Sequence, residues 1–274
     1  MSRPAGGDDS AELVSFAERL ADESRQLLGA AAKGAVRVDL KPDSSFVTDV
    51  DRAIETRLRE LIEDAWPGHG ILGEEFGAKD AGADVTWIID PVDGTAPFIA
   101  GIPVYGTLIG VSRLGRPWIG VLDFPATGDR WTGVAGVFAR RNDAAVRTRQ
   151  CGDLAVALAT CSNPDFFEPG EYRAFARVND RVSYTLYGAS SFAYAMLATG
   201  RTDLAVDSGL RPYDVFAPAA VISGAGGLMT DWTGASLCLD PAPQAGTPAS
   251  ASRGRILAAG DPALHAAALS LLDA

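Results

Sequence analysis

The sequence predicts a layered α-β-α-β-α sandwich, built from an N-terminal α+β half and a C-terminal α/β half. Three observations favour this fold class: two amphipathic helices open the chain, an antiparallel meander follows them, and strands alternate with helices over the rest. Because helices have to cover the apolar faces of two sheets, alternating layers are the natural packing. We place the N-terminal half over residues 1–145 and the C-terminal half over 146–274.

In the N-terminal half, apolar residues recur at helical spacing over 11–32 and again over 49–65. Short apolar and β-branched runs follow, and turns that contain glycine and proline separate them, which is typical of neighbouring antiparallel strands. The strands predicted for this half cover 85–89, 104–111, 118–124 and 130–138.

The C-terminal half alternates between the helical and the strand periodicity. Helices are predicted over 172–178, 190–199, 215–224 and 262–273, and strands over 154–160, 182–186, 203–206, 228–230 and 256–259. The segment 241–253 is rich in proline, alanine, serine and glycine, and we expect it to be a surface loop.

Composition narrows the classes of function. Of the 274 residues, 47% are hydrophobic and 22% are charged, and the formal net charge is −11. Such an acidic chain is not expected to bind nucleic acid or an anionic membrane, because both require a basic surface. Acidity alone does not exclude an anionic substrate, since bound cations can invert the local field.

Cysteine and histidine are scarce in the sequence. The three cysteines lack metal-type spacing and suit a reducing cytoplasm, which is the location we expect. The first ten residues are polar and glycine-rich and lack the pattern of a signal peptide. With only His69 and His265, both better interpreted as structural, neither a Ser-His-Asp triad nor a histidine-rich zinc site is expected.

The clearest chemical signal is the turn Asp90-Pro91-Val92-Asp93-Gly94-Thr95, which follows a buried strand. Pro91 fixes its own φ, and Gly94 permits a close backbone approach. A short helix is predicted to begin at Thr95, and the N–H groups of its first turn can hold a phosphate while the aspartates hold cations. Asp93 could equally belong to an Asx-turn, so the turn alone leaves both interpretations open.

Three more acidic residues could complete a metal site, and spacing alone does not decide their roles. Glu74 ends a short apolar run sixteen residues before Asp90. Asp214 precedes an apolar helix and could simply cap it. Asp51 lies in a Thr-x-x-Asp arrangement that a capping box explains without any chemistry.

Taken together, these motifs resemble the inositol monophosphatase family. The resemblance rests on Gly73-Glu74-Glu75, on the segment 87–95, and on Asp214 followed by Gly224-Ala225-Gly226-Gly227, in the family's order and spacing. It extends from about residue 13 to residue 259, and the Asp-Pro-x-Asp-Gly-Thr turn is its most specific part.

This resemblance implies a Mg²⁺-dependent phosphomonoesterase with the family's layered fold. It implies two or three Mg²⁺ ions per site, a small-molecule phosphate monoester as substrate, a homodimer and no covalent enzyme intermediate. The implied metal ligands are the side chains of Glu74, Asp90, Asp93 and Asp214 and the carbonyl of Val92.

The same resemblance implies the other roles at the site. Thr95 and Asp51 would orient and deprotonate a metal-bound water, and Glu74 is counted with them as a catalytic residue. Lys41 would correspond to the family's loop lysine, one residue short of the spacing in inositol-specific members. The residues assigned to phosphate or substrate binding are Lys41, Gly94, Thr95, Ser190, Arg211 and Asp214.

Substrate identity is expected to lie in the C-terminal half. Pro212-Tyr213-Asp214 and the segment 226–232 are similar to the histidinol-phosphate phosphatase branch, so histidinol phosphate is the leading candidate. Ala96-Pro97 and Ala189-Ser190-Ser191 depart from that branch, which either a shifted substrate or drift at a tolerant position would produce. The first alternative is inositol 1-phosphate or another polyol, sugar or specialised-metabolite phosphate. The second is a non-catalytic homologue.

Overall fold

The computed structural model describes residues 9–32, 34, 37–40, 46–239 and 254–273 of the chain. The helices are α1 (Ser10–Ala31), α2 (Asp49–Ala65), α3 (Thr95–Ala100), α4 (Pro169–Asn179), α5 (Phe192–Ala198), α6 (Pro212–Gly224) and α7 (Pro262–Leu272). The strands are β1 (Val38–Leu40), β2 (Phe46–Thr48), β3 (Gly70–Gly73), β4 (Gly77–Lys79), β5 (Val85–Asp93), β6 (Gly106–Arg113), β7 (Arg116–Phe124), β8 (Asp129–Val134), β9 (Phe138–Arg141), β10 (Ala144–Ala145), β11 (Leu158–Cys161), β12 (Tyr184–Tyr187), β13 (Leu204–Asp207), β14 (Leu228–Asp231) and β15 (Ile256–Ala259).

These elements stack as five layers, which confirms the predicted sandwich. α1 and α2 cover one face of an eight-stranded sheet, α5 and α6 lie between the two sheets, and α4 and α7 cover the outer face of a five-stranded sheet. Side chains alternate across a strand, so the central strands of the larger sheet contribute to two cores. On β5, for example, Trp87 and Ile89 pack with α1 and α2, whereas Ile88 packs on the side of α6.

The strand order agrees with the predicted antiparallel meander and with the predicted α/β alternation. The eight-stranded sheet has the order β10-β9-β8-β7-β6-β5-β3-β4, and the strands from β5 to β10 form the expected antiparallel meander. The five-stranded sheet has the order β12-β11-β13-β15-β14, with parallel pairing of β11 to both its neighbours, as an α/β unit requires. No helix in the described ranges is both long and apolar enough to cross a membrane.

Several predicted strand boundaries are wrong, and three of these errors have a cause in the local structure. The strand expected to stop at residue 89 runs to Asp93, because a register shift lets its end stay paired with β6. The strand expected over 130–138 is divided by a turn around Gly136, whose φ is +69°. The strand expected over 154–160 begins as a 3-10 turn, because the Asp153 side chain accepts a hydrogen bond from the Ala155 amide.

α6, the central helix, lies very close to the larger sheet. A Cβ added to Gly120 on β7 would lie 2.1 Å from the carbonyl oxygen of Ala217, so only glycine permits this approach. Most of α6 is buried, as expected for a helix enclosed by two sheets. The packing brings the start of α6, and with it Asp214, to the end of β5.

Candidate active site

Asp51 lies in the first turn of α2, and its two carboxylate oxygens make different contacts. One oxygen, Oδ2, accepts hydrogen bonds from the Thr48 amide at 2.8 Å and from the Thr48 hydroxyl, which completes the capping box. The other oxygen, Oδ1, lies 3.4 Å from the Thr95 hydroxyl. The side chain is almost fully buried, with 1% of its surface exposed. Helix capping therefore orients Asp51 and leaves one oxygen facing the site.

At the end of β5, the Asx-type contact considered for Asp93 is found at Asp90, and the Asp93 carboxylate accepts from Ser191 instead. The pairing with β6 skips between Asp90 and Asp93, and the Val92 amide donates to Oδ1 of Asp90 at 3.0 Å. The Thr95 hydroxyl donates to the Val92 carbonyl at 3.0 Å. Gly94 has a φ of +74°, a conformation that residues with a Cβ rarely adopt, and α3 begins directly after it. The first N–H groups of that helix lack helical partners by their position.

Asp214 reaches the same place from the other half of the chain. It is the third residue of α6, and its Oδ2 accepts a hydrogen bond of 2.6 Å from the Arg211 amide. The predicted N-cap position is wrong, because the helix begins at Pro212 and Arg211 is its N-cap; Asp214 instead accepts from the N-cap amide from inside the first turn. Asp90, Asp93 and Asp214 each also offer an oxygen atom, and these three atoms lie within 4.8 Å of one another. The Glu74 carboxyl, which follows β3, is hydrogen-bonded to that of Asp90.

This crowding shifts the protonation of the carboxyl groups. Burial, and then the charges of Glu74, Asp93 and Asp214, raise the pKa of Asp90 well above its usual range. Burial likewise raises the pKa of Asp214 well above that range, although the Arg211 amide opposes it. Burial raises the pKa of Asp93 to about 6, against two hydrogen bonds from Ser191.

The four carboxyl groups fit a hard divalent cation. Buried like charges are stable at neutral pH only when protons or cations offset them, and Mg²⁺ prefers carboxylate and carbonyl oxygens. Glu74, Asp90, Asp93 and Asp214 supply such oxygens from three separate elements. The structure thus brings together every side chain that the sequence suggested as a metal ligand.

Ser191 is a site residue that the sequence analysis did not assign. Its amide donates to Oδ2 of Asp93 at 3.0 Å, and its hydroxyl donates to the same oxygen. The neighbouring Ser190 has a φ of +47°, and its hydroxyl oxygen would lie 3.0 Å from a Cβ built on Gly94. The segment before α5 therefore contacts the turn that follows β5. No spacing pattern could have indicated this contact, because it joins residues 98 positions apart.

The structure locates most of the other residues predicted to bind phosphate or substrate. Ser190, Gly94 and Thr95 lie together as described, and Arg211 contacts the site through its backbone amide. Lys41 lies outside the described residues.

Comparison with known proteins shows that the chain is similar to phosphatases in sequence and in fold. The sequence profile of the inositol monophosphatase family matches residues 9–273. A bifunctional phosphatase, IMPL2, from Arabidopsis thaliana is 39% identical over 256 residues, which cover 93% of this chain and 73% of the relative. A histidinol-phosphatase from Mycobacterium tuberculosis is 32% identical over 233 residues, covering 83% and 88% of the two chains.

A solved structure shows the same fold. An inositol monophosphatase from Zymomonas mobilis superposes with a TM-score of 0.84 at 33% identity, and the match covers 98% of this chain and 100% of the other.

Proposed function

The chain belongs to the inositol monophosphatase family and is a metal-dependent phosphatase, and from this premise we propose that it hydrolyses histidinol phosphate with Mg²⁺. The observation that carries the proposal is the cluster of Asp90, Asp93 and Asp214, with the Glu74 carboxyl next to Asp90, beside the Asp51–Thr95 pair. The choice of substrate is supported by Pro212-Tyr213-Asp214 and by the similarity to a relative named as a histidinol-phosphatase.

We propose that the metal is held by the side chains of Glu74, Asp90, Asp93 and Asp214 and by the Val92 carbonyl. When bound, Mg²⁺ supplies charge stabilisation for the phosphate oxygens and lets water act as a nucleophile at neutral pH. Most of these ligands belong to the half over 1–145, and Asp214 belongs to the half over 146–274. This division of the chain, the homodimer and the cytoplasmic location stay predictions.

The residues around the metal ligands would handle protons and the phosphate. The Thr95 hydroxyl orients the attacking water, and the Asp51 carboxylate takes its proton through that hydroxyl. The water oxygen bonds to phosphorus as the ester P–O bond breaks, and the leaving alkoxide takes a proton from solvent to become the alcohol. The amides of Gly94 and Thr95 hold phosphate oxygens at the start of α3. The catalytic advantage comes from positioning and charge stabilisation.

The second candidate substrate is inositol 1-phosphate or another polyol phosphate. The similarity to the Zymomonas mobilis inositol monophosphatase favours it. The complete set of acids speaks against a non-catalytic homologue. A panel of histidinol phosphate, inositol 1-phosphate and sugar phosphates, followed by phosphate release, separates the candidates. We expect the largest kcat/KM for histidinol phosphate, and a larger value for any other ester would reject that assignment.

Removing the metal is expected to destabilise the protein most at alkaline pH. Folding raises the pKa of these carboxyl groups above the value near 3.9 that an aspartate has in the unfolded chain. At a pH between the two pKa values, the folded protein binds protons that the unfolded chain has released. Without metal, the stability linked to these protons is present at low pH and is lost as the pH rises through the folded pKa, about 6 for Asp93. The Tm of the metal-free protein should therefore fall between about pH 5 and about pH 8.

Saturating Mg²⁺ should raise Tm by about 5 °C or more at about pH 8 and by less at about pH 5, where protons compete for the same oxygens. Differential scanning calorimetry of chelator-treated protein measures both effects, with NaCl at equal ionic strength as the control. An equal rise in NaCl, or a Mg²⁺ effect independent of pH, would contradict this expectation.

A further inference from the structure

Glu55 is a fully buried carboxylate on α2, one helical turn after Asp51. Residues four apart share a helix face, so both acids point from α2 towards the larger sheet. Asp51 faces the turn after β5. Glu55 faces the turn between β3 and β4, in which Glu74 is the first residue.

The Glu55 carboxylate accepts hydrogen bonds from two consecutive amides of that turn. The Glu75 amide donates to Oε2 at 2.7 Å, and the Phe76 amide donates to Oε1 at 3.1 Å. Both amides directly follow Glu74 in the chain. The carboxylate thus fixes the backbone on the C-terminal side of Glu74, while the Glu74 amide donates to the Ile89 carbonyl at 3.1 Å.

The residues around Glu55 are adapted to this contact. A Cβ added to Gly73 would lie 1.9 Å from Oε1 of Glu55, so the carboxylate occupies the space that a side chain at residue 73 would need. Arg59 donates from Nε to Oε1 at 2.8 Å and from its Nη2 to the carbonyl of Gly77, at the far end of the turn. The Glu55–Arg59 pair therefore hydrogen-bonds the turn at residues 75, 76 and 77 and packs against Gly73 at its start.

We infer that Glu55, supported by Arg59, is a positioning residue that holds Glu74 where it can bind Mg²⁺. The inference rests on the proposed role of Glu74 as a metal ligand. Through Glu55 and Asp51, a single helix sets both the Glu74 turn and the group that takes the proton from water. Removing the Glu55 charge leaves two backbone amides and one guanidinium competing for a weaker acceptor, so we expect the turn and Glu74 to shift.

The test is the affinity of the purified protein for Mg²⁺ alone, measured by isothermal titration calorimetry well below Tm. Glu55→Gln keeps the size of the side chain and is expected to weaken Mg²⁺ binding by about 10-fold to 100-fold, the usual effect of losing a group that orients a metal ligand. Glu60→Gln is the matched control, because Glu60 lies on the exposed face of the same helix and should leave the affinity unchanged. Glu74→Gln serves as the reference for the loss of a direct ligand.

Arg59→Lys is a milder variant for use if Glu55→Gln does not fold. It keeps the charge, loses the forked contact with Gly77 and should weaken Mg²⁺ binding by a smaller factor in the same direction. A lower Tm with unchanged Mg²⁺ affinity in both variants overturns the inference, because the pair would then be structural only. Unchanged affinity in Glu74→Gln would instead reject the proposed ligand set, and the inference with it.

Discussion

Asp93→Asn is expected to lower kcat by about 10³-fold, because the proposed metal centre would lose one of its four charged ligands. Asp93 is almost buried, and its Oδ2 already accepts two hydrogen bonds from Ser191. One oxygen of the carboxylate therefore remains for the metal, and an asparagine would present there a neutral and weaker donor. The measurement is phosphate release from the preferred ester across a Mg²⁺ titration.

Asp84→Asn is a matched control for this variant. Asp84 precedes the same strand, β5, and is exposed, so the substitution should leave kcat within about two-fold of the parent value. Ser191→Ala provides an intermediate case, since it removes the hydroxyl donor and keeps the amide donor to Asp93. If Asp93→Asn turned over every active substrate at the parent rate, the metal centre proposed here would be wrong.

Asp51→Asn is expected to lower kcat by about 10² to 10⁴-fold, the contribution typical of a positioned general base. Asparagine retains an oxygen that can accept the capping hydrogen bonds of Thr48, so α2 should still form. Because Asp51 is not among the proposed metal ligands, Mg²⁺ affinity should change little. A large fall in kcat with nearly constant Mg²⁺ affinity would distinguish this variant from Asp93→Asn.

The pairing of Asp51 with Thr95 makes a second expectation. If the two residues act as one unit, the double variant Asp51→Asn with Thr95→Ala should be about as slow as the slower single variant. Asp49→Asn is the control, because Asp49 lies in the same helical turn but is exposed and should tolerate the change. Additive losses in the double variant would show that Asp51 and Thr95 act separately.

The sequence predicted the layers and most elements of the fold because both depend on local periodicity. α2 has the predicted bounds, and the meander and the alternating C-terminal half are present as expected. The errors lie where a hydrogen bond or a contact with another strand overrides the local pattern. At Asp153, for example, a side chain that accepts from the Ala155 amide turned an apolar run into a 3-10 turn.

At the site, the sequence left capping and chemistry as alternatives for Asp51 and Asp214. In the structure both carboxylates accept hydrogen bonds from a helix start, while Asp214 also lies in the carboxylate cluster and Asp51 lies beside Thr95. A carboxylate has two oxygens, so one can complete a helix cap while the other faces a ligand. The two interpretations were therefore never exclusive.

By itself, the sequence determined which residues could provide the chemistry. The motifs that show them are the turn from Asp90 to Thr95 and the segments around Asp51, Glu74 and Asp214. Only the tertiary structure decided what holds them. Ser191 hydrogen-bonds to Asp93 across 98 residues, and Glu55, which the sequence analysis did not single out, is buried against the Glu74 turn only in the folded chain. Such contacts depend on how layers pack, and packing joins residues that no local spacing relates.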